Sequence, residues 1–130
     1  MDKAALVEAD VQEGRRLIQA LDEKGFSLRA ALWFYLPDLA EWRLLLGSPL
    51  VDTDGPKLAY RRVQAVLTRM SPPSRLTLQS ISIVSARDPL IQLLSSAIQT
   101  GPAILDIRFS KSTVNGTFIE DAYIYRLQAA

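Results

Sequence analysis

The stretch STVNGTFIEDAYIY, residues 112–125, carries the clearest structural signal in the chain. Asn115-Gly116 is a residue pair preferred in two-residue type I′ hairpin turns, because both turn positions need a positive φ. Around such a turn Val114 faces Thr117, and each step back along one strand pairs with a step forward along the other. The pattern therefore predicts an antiparallel hairpin, whose strands are Ile104–Val114 and Thr117–Leu127.

The predicted hairpin has one apolar and one polar face. Ile107, Phe109, Ala122 and Ile124 fall on the face that we assign to the core. The register sets Arg108 opposite Tyr123 and diagonally from Asp121, Lys111 opposite Glu120, and Asp106 opposite Tyr125. Arg108 is then close enough to Asp121 for an ion pair. Glu120 and Asp121 are neighbours on a strand, so they point to opposite faces and cannot form a catalytic pair.

The rest of the chain alternates between strand and helix patterns. Residues 3–24 predict a helix that ends at Gly25, and FSLRAALWFYL (26–36) predicts a strand with a dry face and an aromatic face bearing Trp33 and Tyr35. A strand over 41–51, a helix over Pro56–Met70, a strand over Leu76–Val84 and a helix over 85–102 follow. The two strand-helix-strand passages favour parallel crossovers.

These elements predict a single α+β domain spanning residues 1–130. Its order is α-β-β-α-β-α-β-β, and it contains a mixed five-stranded sheet with packed helices. The expected core residues are Leu32, Phe34, Leu44, Leu46, Ile83, Leu94, Ile107, Phe109 and Ile124.

Composition excludes several kinds of chemistry. The 130 residues contain no cysteine and no histidine, which excludes thiol chemistry, zinc fingers and Ser-His-Asp triads. The segment MDKAALVEADVQEGRR lacks the apolar run of a signal peptide, and no apolar stretch approaches the about 20 residues that span a bilayer. We expect a cytoplasmic protein without a cofactor or a membrane partner.

The segment LVDTDGP, residues 50–56, places Asp52 and Asp54 after a predicted strand. It resembles the nucleophile motif of haloacid-dehalogenase-like phosphatases, whose two carboxylates hold magnesium and attack a phosphate. Pro56 and Lys57 depart from that motif, and Val63 stands where a calcium loop needs its closing glutamate. We expect the two aspartates to cap a helix N-terminus, where negative charge is favourable. A magnesium-dependent hydrolase is the weaker alternative.

The predicted second helix carries Lys57, Arg61, Arg62 and Arg69. The first two share one face and the last two another, so the basic residues straddle the solvent side. A group of basic residues on one helix can bind the phosphates of a nucleic acid. It supports an alternative hypothesis of a nucleic-acid-associated protein with a degenerate nuclease-like fold. The net charge of +1 favours a plain solvated surface instead.

The strings LWFYLPDLAEWRLLLGSPLVDTDGP (32–56), RDPLIQLLSSAIQTGP (87–102) and NGTFIEDAYIYRL (115–127) resemble a family of small uncharacterised bacterial proteins. The resemblance covers most of the chain. It implies a bacterial cytoplasmic origin and a stand-alone domain, and no activity, cofactor or catalytic residue.

Our leading hypothesis is a non-enzymatic interaction or accessory module, because the acids are scattered and two hairpins carry aromatic faces. Exposed faces of this kind serve self-association or docking of a protein partner, whereas faces covered by helices do not. The candidate partner-binding residues are Trp33, Tyr35, Arg108, Asp121, Tyr123 and Tyr125.

Overall fold

A computed structural model describes residues 5–128. The helices are α1 (Glu8–Glu23), α2 (Leu50–Asp54), α3 (Pro56–Arg69) and α4 (Pro89–Ser95). The strands are β1 (Ala30–Leu36), β2 (Glu41–Gly47), β3 (Ile81–Val84), β4 (Ile107–Val114) and β5 (Thr117–Leu127). The predicted α+β class and mixed five-stranded sheet are confirmed, and the extra helix α2 changes the order to α-β-β-α-α-β-α-β-β. Within the described residues, no helix has the length and apolar character needed to cross a membrane.

The strands lie in the order β3-β2-β1-β5-β4. β2 and β3 are parallel neighbours, as expected for the first strand-helix-strand passage. The second passage was predicted wrongly as a parallel crossover. β1 pairs antiparallel with both β2 and β5, and β5 pairs antiparallel with β4. The chain therefore runs from β3 at one edge of the sheet to β4 at the other, and these two strands have opposite directions.

The terminal hairpin has the predicted turn and register. Val114 pairs with Thr117 and Arg108 pairs with Tyr123. Asn115 and Gly116 have φ values of 47° and 82°, as a type I′ turn requires. Lys111 is also left-handed, with φ of 46°. Ser110 pairs with Asp121 and Ser112 with Ile119, so Lys111 lies opposite Glu120 as predicted, although these two residues do not form a ladder pair.

The predicted Asp106–Tyr125 pairing is wrong. Asp106 precedes β4, and the backbone N–H of Leu105 donates to the Tyr125 carbonyl at 2.8 Å. On the other side of β5, the pairing with β1 shifts between Ala31 and Leu32, which leaves Tyr125 as an extra residue in a β-bulge.

Several element boundaries differ from the sequence prediction for local reasons. β2 ends at Gly47 because Ser48 Oγ accepts a hydrogen bond from Leu50 N at 3.1 Å and the chain turns into α2. Gly55, with φ of 92°, separates α2 from α3. A single 3-10 turn, Leu78–Ser80, precedes β3 in place of the predicted bulged strand.

The predicted aspartate cap is also corrected. Asp52 and Asp54 lie inside α2, and Gly55 stands at the N-cap of α3 without a side-chain hydrogen bond. At the start of α4, by contrast, an aspartate does cap the helix: Asp88 Oδ1 accepts a hydrogen bond from Leu90 N at 2.9 Å.

The helices cover the two faces of the sheet unequally. α1 and α3 pack on one face against the larger core cluster, which includes Trp33, Leu44 and Tyr125. The seven-residue α4 packs on the other face against Leu32 and Ile124. Of the nine predicted core residues, those that are buried are Leu32, Leu44, Leu46, Ile83, Leu94 and Ile124. Phe34, Ile107 and Phe109 are only half-buried, because the short α4 leaves part of its face uncovered.

A buried hydrogen-bond chain joins α1 to the sheet. Trp33 Nε1–H donates to Tyr125 Oη at 3.0 Å, and the Tyr125 hydroxyl donates to the Val11 carbonyl at 2.6 Å. Tyr125 is fully buried, and burial is the main reason that the pKa of its hydroxyl is raised. A Cβ at Gly14 would meet Tyr125 Oη and would lie 3.0 Å from Trp33 Nε1. The absence of a side chain at Gly14 therefore lets α1 approach the sheet closely.

We predict that Gly14→Ala destabilises the protein. The helical preference of alanine over glycine is worth about 1 kcal/mol, but overpacking costs about 1–3 kcal/mol and here displaces a hydroxyl with two buried hydrogen bonds. Urea unfolding should therefore show a net loss, and the loss should shrink in a Tyr125→Phe background. Gly101→Ala is the control, since nothing lies within 4 Å of its added Cβ. If Gly14→Ala lowered the free energy of unfolding equally in both backgrounds, the added Cβ would not be in contact with the Tyr125 hydroxyl.

We also predict that the contribution of Glu13 to stability depends on pH. Burial alone would raise its pKa, but hydrogen bonds from Arg16 Nη1 and Arg75 N, each 2.8 Å long, and the charges of both arginines lower it below 4.5. The ionised form is thus favoured by folding. Its stabilisation is complete above pH 4.5 and is lost as pH falls through the folded-state pKa.

Glu13→Gln should accordingly lower the free energy of unfolding at neutral pH by on the order of 1–2 kcal/mol. The difference from wild type should narrow in urea titrations below pH 4.5. Exposed Glu8→Gln on the same helix should change stability by less than about 0.5 kcal/mol. A Glu13→Gln difference that is constant with pH would be inconsistent with this account.

Candidate functional site

The predicted partner-binding residues lie in two rows on the face of the sheet that α1 covers. Trp33 pairs with Tyr123, which pairs with Arg108 on β4. Two residues further along the strands, Tyr35 pairs with Trp42 and Asp121 pairs with Ser110. The rows follow from the period of two along each strand together with the hairpin register. All six predicted residues therefore face the same side of the sheet.

Asp121 is the centre of the outer row. Its side chain is only 2% exposed. Arg108 Nε and Nη2 donate to Oδ1 and Oδ2 at 2.7 Å each, and Ser110 Oγ donates to Oδ1 at 2.8 Å. This hydrogen bonding raises the pKa of Arg108, whose guanidinium carbon lies 5.5 Å from the Trp42 ring centroid. A carboxylate that is occupied in this way holds β4 to β5 and is unsuited to act as a general base.

Tyr123 is the centre of a second polar contact at the edge of α1. Its hydroxyl donates to Asp106, which also receives a hydrogen bond from Arg15 on α1. Burial, followed by the hydrogen bond to Asp106, raises the pKa of Tyr123. The ring packs edge-on against Tyr125 with centroids 5.3 Å apart. A phenol with a raised pKa stays protonated at neutral pH, so this group orients α1 on the sheet and supplies no base.

Accessibility divides the six predicted residues. Trp33, Tyr35, Asp121 and Tyr125 are buried, Tyr123 is half-buried, and the Arg108 side chain is 51% exposed. The aromatic face is therefore covered by a helix, which is the arrangement that weakens the case for docking there. A role of these residues in partner binding stays a prediction that would need α1 to move.

The basic residues of α3 have the opposite environment. Lys57, Arg61 and Arg69 are exposed and Arg62 is half-buried, and the sequence PKLAYRRVQAVLTR contains no acid. Arg62 and Arg69 line a cleft of about 230 Å³ together with Lys24, Phe26, Ala65 and Val66. Lys57 and Arg61 lie outside it. Sequence reasoning missed Lys24 and Phe26, because they lie just after α1 and come beside α3 only through the tertiary fold.

The two aspartates of the weaker alternative are not brought together by the fold. Asp52 Oδ2 accepts a hydrogen bond from Ser85 Oγ at 2.7 Å. Asp54 stands two residues away on α2, where side chains project in nearly opposite directions. Across residues 5–128, no group of three or more Asp, Glu, His or Cys side chains is placed to hold a metal ion.

Comparison of the chain with protein-family models, with curated proteins and with solved structures finds no match. The resemblance to small uncharacterised bacterial proteins is thus still an expectation. Function has to be inferred from the residues of this chain and their geometry.

We predict that Asp121→Asn lowers stability much more than Asp106→Asn does. The first change weakens a buried, charge-assisted pair and should cost about 1.5–3 kcal/mol. Asp106 is 62% exposed, so its loss should cost about 1 kcal/mol or less. Parallel urea denaturation curves measure both. Similar losses in the free energy of unfolding for the two variants would show that the Asp121 carboxylate does not contribute strongly to the contact between β4 and β5.

Proposed function

We propose that the protein is a non-enzymatic interaction module that binds an acidic, partly apolar protein segment in the cleft between the end of α1 and α3. One observation carries the proposal. Three cations, Lys24, Arg62 and Arg69, surround an apolar floor, and no carboxylate lines the cleft.

The charge around this cleft is local. The whole chain has 15 basic and 14 acidic residues, so its net charge of +1 predicts no general attraction to anions. The basic residues of α3, however, have no acidic neighbour on their own helix. Asp22, two residues before Lys24, is bound by Arg126 through bonds of 3.0 Å and 2.7 Å. Glu23 directly precedes Lys24, but it does not line the cleft. The three cations that line the cleft are thus available to an anionic partner that comes within about 8 Å, the distance over which charges act at physiological salt.

The floor of the cleft favours a protein partner over a bare anion. Val66 is half-buried, and Ala65 is exposed beside it. The guanidinium carbon of Arg62 lies 5.6 Å from the centroid of the Phe26 ring, so its stem adds apolar surface above that ring. A volume of about 230 Å³ suits one apolar side chain and is below the about 300 Å³ at which small-molecule sites begin. An acidic segment with a Leu, Ile or Phe anchor matches both features.

A nucleic acid fits this surface less well. Phe26 is 3% exposed and buried under Arg62, so no base can stack on it. Arg61 and Arg62 are consecutive on α3, and their side chains therefore project about 100° apart. The four basic residues of the helix thus do not form one track for a phosphate backbone, and only two of them reach the cleft.

A pair of matched variants tests the proposal. Arg62→Gln/Arg69→Gln removes two charges from the cleft, and Lys57→Gln/Arg61→Gln removes two charges from the same helix outside it. Random peptides displayed on phage are selected on the wild type and counter-selected on the cleft variant. We expect enriched peptides with an apolar residue flanked by Asp or Glu. In fluorescence anisotropy, the cleft variant should bind such a peptide about ten-fold or more weakly, whereas the control variant should bind nearly as wild type does.

Single-stranded and duplex DNA provide the competing outcome. If nucleic acid is the partner, DNA binds the wild type in a salt-dependent way, and both variants reduce the slope of log K against log salt by about 0.7–0.9 for each phosphate that the variant no longer neutralises. That result, or an equal loss of peptide binding in both variants, would contradict docking in the cleft.

A further inference from the structure

A second cleft, of about 320 Å³, opens at the end of the sheet where β2 and β3 finish. It is separate from the cleft beside α3. Its walls come from the residue before β1, from α2 and the residue that precedes it, and from the loop between β3 and α4. The lining residues are Arg29, Pro49, Asp52, Thr53, Ala86 and Arg87.

The topology of the sheet creates this cleft. β2 and β3 are parallel, and Gly47 pairs with Val84 at their carboxyl ends. Chains that leave the carboxyl ends of parallel strands diverge, and ligands bind in the crevices that open there. β1 is antiparallel to β2, and Ala30 pairs with Gly47, so β1 begins at the same end of the sheet. Arg29 is thereby brought beside the loops that follow β2 and β3.

Hydrogen bonds fix the walls before any ligand arrives. Ser85 Oγ donates to Asp52 Oδ2 at 2.7 Å and accepts from Arg87 N at 3.0 Å, which links α2 to the loop after β3. The Arg29 backbone N–H donates to the Gly47 carbonyl at 2.9 Å. A preorganised site loses little conformational freedom when it binds a ligand.

Two arginines in this cleft are unpaired. Within residues 5–128, neither the Arg29 nor the Arg87 guanidinium has a hydrogen-bond or ion-pair partner. Arg29 is half-buried, and a cation that is partly removed from water without a counter-charge is unfavourable. The arginines that do have side-chain hydrogen-bond partners are Arg15, Arg16, Arg43, Arg108 and Arg126. An anion in the cleft would supply the missing partner to two guanidinium groups at once.

We propose that this cleft binds the phosphate monoester of a small hydroxylated molecule. A phosphate monoester carries a charge of about −1.5 to −2 at neutral pH and offers three oxygen acceptors, which suits two guanidinium groups. Asp52 lies in the same cleft and repels the phosphate from its own wall. Its carboxylate is instead suited to accept a hydrogen bond from a ligand hydroxyl, beside the Thr53 hydroxyl. The volume lies at the lower end of the about 300–1,000 Å³ range for small-molecule sites.

Glycerol phosphate, inorganic phosphate and glycerol are the probes. Binding is followed by the amide chemical shifts of the wild-type protein in heteronuclear NMR titrations. We expect saturable shifts with glycerol phosphate at Arg29, Thr53 and Arg87, weaker binding of inorganic phosphate and none of glycerol. Arg29→Gln and Arg87→Gln should each weaken binding of glycerol phosphate by about ten-fold to a hundred-fold. Asp52→Asn should remove most of the preference for glycerol phosphate over inorganic phosphate.

Lys57→Gln/Arg61→Gln is the matched control, because it removes two positive charges elsewhere on the surface and should leave the titration unchanged. The proposal fails if no saturable shift occurs, if the shifts centre on α3, or if the control weakens binding as much as the cleft variants do. It also fails if glycerol binds as well as glycerol phosphate. Because the wild-type shifts locate the site directly, the test does not depend on the folding of any variant. It is also independent of whether the cleft beside α3 binds peptides.

Discussion

The contact between Trp33, Tyr125 and the Val11 carbonyl determines how this fold is assembled. It joins β1, β5 and α1 inside the core, and two of its residues, Val11 and Tyr125, are 114 positions apart in sequence. The bulge at Tyr125 allows consecutive side chains to face α1, since Arg126 also reaches that helix through Asp22. A regular strand would send one of the two to the opposite face. Gly14 completes the contact by leaving room for the Tyr125 hydroxyl.

This placement of α1 decides which parts of the surface are available. The helix packs on Trp33 and Tyr125, and both residues are buried and contribute to stability. The end of α1 comes to lie beside α3 and sets Lys24 and Phe26 against Arg62. The same contact thus covers one group of candidate binding residues and places one side of the cleft beside α3. On the far face, the short α4 leaves Phe34 and Phe109 half-buried, although alternation alone assigns them to the core.

Local signals account for what the sequence predicted correctly. The Asn115-Gly116 turn fixes the hairpin register, and the register with the period of two places Arg108 beside Asp121, where the bidentate pair is found. The face that is buried was not predictable in this way, because it depends on where α1 packs. The direction of the second crossover likewise depends on which edge of the sheet β4 joins, and no local pattern encodes that choice. The helix α3 begins at Pro56 as predicted, and the element that the sequence prediction lacked is α2, which ends at the left-handed Gly55.

The two clefts also differ in how far local sequence patterns predict them. Helical periodicity is enough to place Arg62 and Arg69 on one side of α3, so half of that site is visible in the sequence. Arg29 and Arg87 are 58 positions apart and belong to no motif. They meet because β2 and β3 are parallel while β1 is antiparallel, which gathers the start of one strand and the ends of two others at a single edge. Sheet topology therefore places two arginines that look like ordinary surface residues in the sequence in the lining of one cleft.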